Sequence, residues 1–109
     1  MYRSATTISS LTSGSSKRFK HDIQDLIQTE VLYQLKPVSF YYNKDFCSIQ
    51  KERYGFIAED VLKIAPNLVE MDLNNPELCS AIYYNSILTL AVAEIQKLRK
   101  ELNELKASL

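Results

Sequence analysis

The chain has 109 residues, 46% of them hydrophobic and 24% charged, with a formal net charge of zero. That is one domain's worth of sequence, with enough apolar residues for a modest core. A neutral balance argues against a basic nucleic-acid surface and against a polybasic membrane patch, and no apolar run approaches the length of a membrane span.

Residues 4 to 16 are mostly Ser and Thr, with Gly14. Such a tract buries too little apolar surface to fold alone. It reads as a linker or the end of an upstream domain over residues 1–14, and a lone Met1 ahead of it points to a start inside a longer gene. Residues 17–35 mix basic and apolar side chains, with Ile23, Leu26 and Ile27 at helical spacing. Thr29 is placed to cap a short segment through Val31, Leu32 and Leu35 that Pro37 stops. Val38 to Tyr42, β-branched and aromatic, reads as a strand, and Asn43-Lys44-Asp45 as a turn. Arg53 to Ile57 reads as a second strand. Gly55 inside it is unfavourable unless a bulge or another group comes close to the backbone. Ala58 to Ala65 reads as a short helix with Glu59 and Asp60 in its first turn, ended by Pro66-Asn67. Leu68 to Met71 is a possible third strand, Leu73 to Leu78 a loop and Ala81 to Tyr84 a last short strand. Asn85 or Ser86 then offers a helix N-cap.

From Ile87 to Leu109 no Pro or Gly interrupts the pattern. Leu88, Ile95, Leu102 and Leu109 recur every seven residues, and Ala91, Leu98 and Leu105 fall three after them. That is an a/d register, with Lys97, Arg99, Lys100, Glu101, Glu104 and Lys106 on the solvated faces. A stripe that runs on beyond any later element to pack against points to an intermolecular coil. The a/d identities choose weakly between two and three strands. The expected fold class is therefore α+β: a small mixed domain of short strands and helices over residues 15–85, then a coiled-coil helix over 86–109.

Enzyme and cofactor motifs are sparse. Two glycines exclude a Gly-rich phosphate loop. His21 has no Cys or carboxylate at metal-ligand spacing, and Cys47 and Cys79 read as free thiols, so neither a metal nor another cofactor is expected. One constellation stands out: Gly14-Ser15-Ser16-Lys17-Arg18-Phe19-Lys20-His21-Asp22-Ile23 puts a serine five residues before a lysine in a basic patch. A Ser–Lys dyad needs an uncharged lysine as base, and Lys17, Arg18 and His21 supply like charges around it. At spacing five a straight helix or strand points the two side chains apart, so they meet only if the chain turns between them. A flexible basic hinge is the plain reading of the stretch, and the same four basic residues would suit an anion or nucleotide, for which no motif speaks.

Three blocks in order carry a resemblance. Ser15 to Ile23 is similar to the opening motif of the C-terminal intramolecular chaperone domain of phage tailspikes, tail fibres and endosialidases, which also occurs in a membrane-tethered animal transcription factor. Leu35-Lys36-Pro37-Val38-Ser39-Phe40-Tyr41-Tyr42 with Tyr54-Gly55-Phe56-Ile57-Ala58-Glu59-Asp60-Val61 resembles its central signature. Ile82-Tyr83-Tyr84-Asn85 and the heptad helix resemble its close. The resemblance covers residues 15 to 109. It implies a homotrimer on a parallel coiled coil through Leu88, Ala91, Ile95, Leu98, Leu102, Leu105 and Leu109. It also implies a chaperone that helps an upstream fibrous passenger domain to fold and then releases itself. Ser15 would be the nucleophile, Lys20 the general base and Gly14–Ser15 the bond cut, in the same chain or a neighbour's. Association with the virion, or with the host cytoplasm during phage assembly, goes with it. That family usually has an aspartate after the serine, where this chain has Ser16. The rivals are a non-enzymatic trimeric cap with an inert Ser15, and a helix that docks on another protein.

Overall fold

The computed structural model describes residues 14–109. The tract expected as linker or passenger end, apart from Gly14, lies outside the described residues. In chain order the elements are a 3-10 turn η1 (Lys17–Phe19), a second 3-10 turn η2 (Glu30–Gln34), strand β1 (Val38–Phe40), strand β2 (Arg53–Gly55), helix α1 (Ala58–Ile64), a third 3-10 turn η3 (Pro66–Leu68), strand β3 (Val69–Met71), strand β4 (Cys79–Ile82) and helix α2 (Tyr84–Ser108). This is the expected small mixed domain with a C-terminal helix.

The strands form two antiparallel pairs. β1 meets β2 with Val38 opposite Gly55 and Phe40 opposite Arg53. β3 meets β4 with Val69 opposite Ile82, and a bulge falls between Glu70 and Met71. The long β1–β2 connection is held by local chemistry. Phe46 and Cys47 N–H groups both donate to Asn43 O at 2.9 Å, so the turn begins where Asn43 indicated. Gln50 Nε2 donates to Tyr42 O at 3.0 Å and Cys47 O at 3.2 Å. Tyr42 stacks edge-on against Phe40 and lies under the Arg53 guanidinium. Asp72 Oδ1 organises the β3–β4 loop by accepting from Asn74 and Asn75 N–H.

The core is small. Val61 of α1 and Ala65, the residue that caps its C-terminus, meet Leu68 of η3, Val69 of β3 and Ile87 and Leu90 of α2, with Val31, Leu32, Leu35, Phe56 and Ile82 packed around them. Only part of α2 joins it. Ile87, Leu90 and Glu94 are buried, whereas every residue from 98 to 109 is exposed. No helix among the described residues is long and apolar enough to cross a membrane.

Three local expectations shift. Ile23, Leu26 and Ile27 form no helix: the segment is irregular, Asp22 turns it through a positive φ of 54°, and those side chains have little to pack on. The last strand is Cys79–Ile82 rather than Ala81–Tyr84: the Tyr83 N–H still donates to Leu68 O at 2.9 Å, in register with Val69 opposite Ile82, but Leu68 belongs to η3 and Tyr84 already begins α2. Tyr83 is accordingly the N-cap of α2, in place of Asn85 or Ser86, with no side-chain capping bond.

Starting the helix at Tyr84 lays its ring against β2. The Tyr84 hydroxyl accepts from Phe56 N–H at 3.2 Å and lies over Gly55. A Cβ on Gly55 would overlap that hydroxyl and press on Phe40 Cε1 at 3.3 Å. Close approach, not a bulge, is what demands glycine here. If the tyrosine swung away it would abandon the Phe56 N–H. Gly55→Val is therefore expected to destabilise the fold by about 1–3 kcal/mol. Thermal unfolding followed by circular dichroism checks this, and an unchanged melting temperature contradicts it.

Candidate functional site: the serine–lysine turn and a buried carboxylate

A single 3-10 turn brings Ser15 and Lys20 together. Phe19 N–H donates to Ser16 O at 3.0 Å and Lys20 N–H to Lys17 O at 3.1 Å, closing the loop in three residues. Ser16 starts the turn in extended geometry, φ −61° and ψ 143°, and its Oγ accepts from the Arg18 N–H at 3.4 Å and from Arg18 Nη1 at 3.1 Å. A serine at an N-cap does this as readily as an aspartate. The capping function of the residue after Ser15 is thus present with Ser16. Lys20 leaves the turn extended, and its Nζ donates to Ser15 Oγ at 3.1 Å.

The rest of the patch packs on itself. The Arg18 guanidinium lies 4.2 Å from the Phe19 ring centre, and His21 Nδ1 shares a 2.9 Å hydrogen bond with Asp22. A Cβ on Gly14 would meet only Phe19 Cδ2, at an ordinary 3.7 Å, so the fold itself does not require glycine there. Residues 14 to 28 are all exposed. In the single chain the serine–lysine pair is therefore open to water. No cluster of His, Cys, Asp or Glu suited to a metal occurs among the described residues, and Cys47 and Cys79 are free thiols.

A second polar constellation carried no sequence signal. Thr29, fully buried, does not cap η2 through its side chain; its hydroxyl donates instead to Glu94 Oε1 on α2 at 2.6 Å. The Tyr33 hydroxyl donates to Glu94 Oε2. Lys97 Nζ donates to Thr29 Oγ1 at 3.1 Å and stands 4.0 Å from Glu94 and 3.8 Å from Glu30. A buried carboxylate is tolerable because hydrogen bonds and a cation replace its water. The Thr29 bond, then the Tyr33 bond, hold the Glu94 carboxyl below its ordinary value against the opposing effect of burial, with Lys97 helping. The Tyr33 phenol is pushed from 10.0 to about 12, first by donating to Glu94, then by burial and by the negative charges of Glu94, Glu30 and Glu101.

The expected trimer-seam residues lie together on one face of α2 and are uncovered by the described chain. Leu88 is 62% exposed, Ile95 64%, Leu98 49% and Leu105 59%. Leu102 and Leu109 are exposed as well, and Ala91 is half-buried.

The family model Peptidase_S74, described as chaperone of endosialidase, matches residues 15–70, beginning at Ser15. The long tail fiber protein Gp37 of Salmonella phage S16 is 30% identical over 105 residues, which is 91% of this chain. The chain spans 14% of that protein's length.

The signs of the two perturbed groups fix a pH window for the buried network. A lowered Glu94 value gives stability that is present above the ordinary carboxylate range and lost as pH falls through the folded value. A raised Tyr33 value gives stability that is present below 10.0 and lost as pH rises through about 12. The melting-temperature gap between the native chain and Tyr33→Phe is expected to hold from about pH 5 to about pH 9 and to shrink on both sides. A series of melts across that range checks it.

Proposed function

The chain belongs to the Peptidase_S74 family, chaperone of endosialidase, and on that premise we propose that it is a C-terminal intramolecular chaperone that assembles as a parallel homotrimer, assists folding of an upstream fibrous domain, and then cuts itself free between Gly14 and Ser15. The observation that carries the cleavage reading is the 3.1 Å hydrogen bond from Lys20 Nζ to Ser15 Oγ, held by a capped turn at the start of the family match.

The chemistry is a single-turnover acyl transfer. Uncharged Lys20 takes the proton of Ser15 Oγ as the oxygen attacks the Gly14 carbonyl carbon. The C–N bond then breaks, the Ser15 amine leaves with the proton that Lys20 returns, and Gly14 is left as an ester on the serine. Water opens the ester, giving a carboxylate at Gly14 and a new amino terminus at Ser15. A general base must be uncharged, a form that burial favours in a lysine, so the reaction needs a drier environment than the single chain, with residues 14–28 all exposed, provides. Neighbouring copies are the source of that environment in this reading.

Assembly is supported by the open seam and by the charges beside it. With Leu88 at a, the g positions hold Ile87, Glu94 and Glu101, and the e positions hold Val92, Arg99 and Lys106. In a parallel, in-register coil each g residue faces the e residue of the next heptad on a neighbour. Ile87 then meets Val92, Glu94 meets Arg99 and Glu101 meets Lys106. An antiparallel pairing would set acid against acid and base against base. Three joined C-termini hold the chains of a fibrous domain in register and at high local concentration before its own contacts form. Removing the aid afterwards makes the folded fibre kinetically stable. Association with a virion follows from this role. The reading of the same fold as a trimeric cap with an inert Ser15 draws on the exposure of the serine–lysine pair.

Two outcomes are expected. Sedimentation equilibrium gives a trimer for the native chain, and Ile95→Asp with Leu98→Asp dissociates it by placing charges in a dry seam; a concentration-independent native monomer refutes the assembly. A precursor with its native upstream sequence yields a new N-terminus at Ser15. Ser15→Ala abolishes this with trimers intact, Lys20→Arg slows it by about 100-fold or more, and Ser16→Asp leaves it at or above the native rate. N-terminal sequencing decides, and a Ser15→Ala precursor still cut at Gly14–Ser15 refutes the nucleophile.

A further inference from the structure

The serine–lysine turn sits in a run of fifteen exposed residues, 14 to 28, and the first buried residue after it is Thr29. Before that point the run touches α2 lightly, with Leu26 at the lip of a surface hollow of about 270 Å³ that Leu90 and Thr89 also line. What fixes the run's end is polar. One carboxylate, Glu94, takes the Thr29 hydroxyl on one oxygen and the Tyr33 hydroxyl on the other. Apolar packing alone would leave η2 free to rotate or slide on α2; two directional bonds to a single group do not. The clamp therefore sets where the run carrying Ser15 and Lys20 leaves the helix.

Glu94 also stands at the border of the open seam, one residue before Ile95. The charges around it do not balance within the chain. Glu94 and Glu30 share the single cation Lys97, at 4.0 and 3.8 Å, and Glu101 lies two turns further along the same face as Glu94. Tyr33 faces the carboxylate as a neutral donor. The Glu94–Glu30 pair is one cation short. Arg99 of the same chain sits at e, across the seam from Glu94, and makes no ion pair with it; in the parallel coil the Arg99 of a neighbouring copy arrives at the Glu94 edge.

We propose that Glu94 is a positioning residue for the Ser15–Lys20 turn, clamping Thr29 and Tyr33 onto α2, and that Arg99 of a neighbouring copy supplies the missing cation and closes the clamp. The inference rests on self-cleavage within a parallel trimer as proposed above. Its consequence is that a lone chain holds the reactive turn on a clamp that lacks its cation, and the assembled one holds it on a closed clamp. Small displacements of a reacting pair cost rate steeply, about 100-fold for 1 Å.

The test uses the precursor with its native upstream sequence. Cleavage is followed below the melting temperature by mass spectrometry, and trimers are verified by sedimentation. Glu94→Gln and Thr29→Val each slow cleavage by about 10- to 100-fold in intact trimers, while Thr29→Ser, which keeps the hydroxyl, restores it. Arg99→Gln, an exposed change that leaves the chain's own packing alone, slows cleavage on the native background and adds nothing to Glu94→Gln, the signature of one shared interaction. In an uncleavable Ser15→Ala background, hydrogen exchange of residues 21–35 rises in Arg99→Gln trimers while residues of α1 and β3 keep their protection, a local change that general destabilisation would not produce. Wild-type cleavage rates in Arg99→Gln trimers, or additive effects of Arg99→Gln and Glu94→Gln, overturn the inference alone. A native precursor that neither trimerises nor cleaves overturns the proposed function and this inference with it.

Discussion

One helix is asked to serve two surfaces. At 100° per residue, Ile87, Leu90, Glu94 and Lys97 make one stripe of α2, and Leu88, Ala91, Ile95, Leu98, Leu102, Leu105 and Leu109 make another about a quarter-turn away. The first closes the core with Val61, Leu68 and Val69; the second is bare. The rest of the structure follows from this division. A domain whose buried apolar core is six side chains has little stability to spare. Covering the second stripe with copies of itself is the staple that the proposed trimer would supply, and it would do so without disturbing the first.

The buried Thr29–Glu94 pair belongs to the same division. A carboxylate on the core-facing stripe costs desolvation that leucine would not, and an apolar replacement of such a network is often neutral or stabilising. What leucine lacks is direction. Thr29 and Tyr33 each donate along a defined line, so the segment after the serine–lysine turn is located on α2 as well as attached to it. The cost falls where α2's two stripes adjoin, at the position from which a neighbouring chain would be reached in the proposed trimer.

Much of this was legible in the sequence, because it is written locally or periodically. The heptads of α2 need only a count, and α1 is announced by acids in its first turn and Pro66 after its end. Gly55 declared a close approach, though nothing near it named Tyr84, 29 residues on, as the group that approaches. Other features were hidden for a common reason: they depend on partners far away in the chain. Thr29 is a capping residue by type and stands at a turn's start, yet its hydroxyl is taken by a residue 65 positions later. Asn85 and Ser86 are better caps than Tyr83, but the Tyr83 N–H is held by Leu68 and the Tyr84 ring by β2, and tertiary contacts outweigh a capping preference of about 1 kcal/mol. Ile23, Leu26 and Ile27 have helical spacing, yet among the described residues only Leu26 borders a hollow on the core and all three stay exposed.

The serine–lysine turn shows how far local geometry goes and where it stops. Spacing five excludes contact in any regular element, so the approach of Lys20 to Ser15 depends on the 3-10 turn between them, and that turn depends on a cap. Ser16 is the cap, through the Arg18 N–H and guanidinium. Both bonds need only an acceptor oxygen at that position, which serine and aspartate share; aspartate adds a negative charge beside Arg18 that this chain lacks. The pair is thus assembled by six consecutive residues, 15 to 20, without help from the core, and a folded core need not precede it. Reactivity is a separate matter. A general base has to be uncharged, a form that burial favours in a lysine, and no residue of the run 14–28 is buried. In the proposed mechanism, geometry is therefore local and dryness is collective: each chain builds its own serine–lysine pair, and only assembly removes the water that keeps it idle. That division has a physical advantage for a folding aid, since a pair competent in the single chain would cut the aid away before the three chains it holds had come into register.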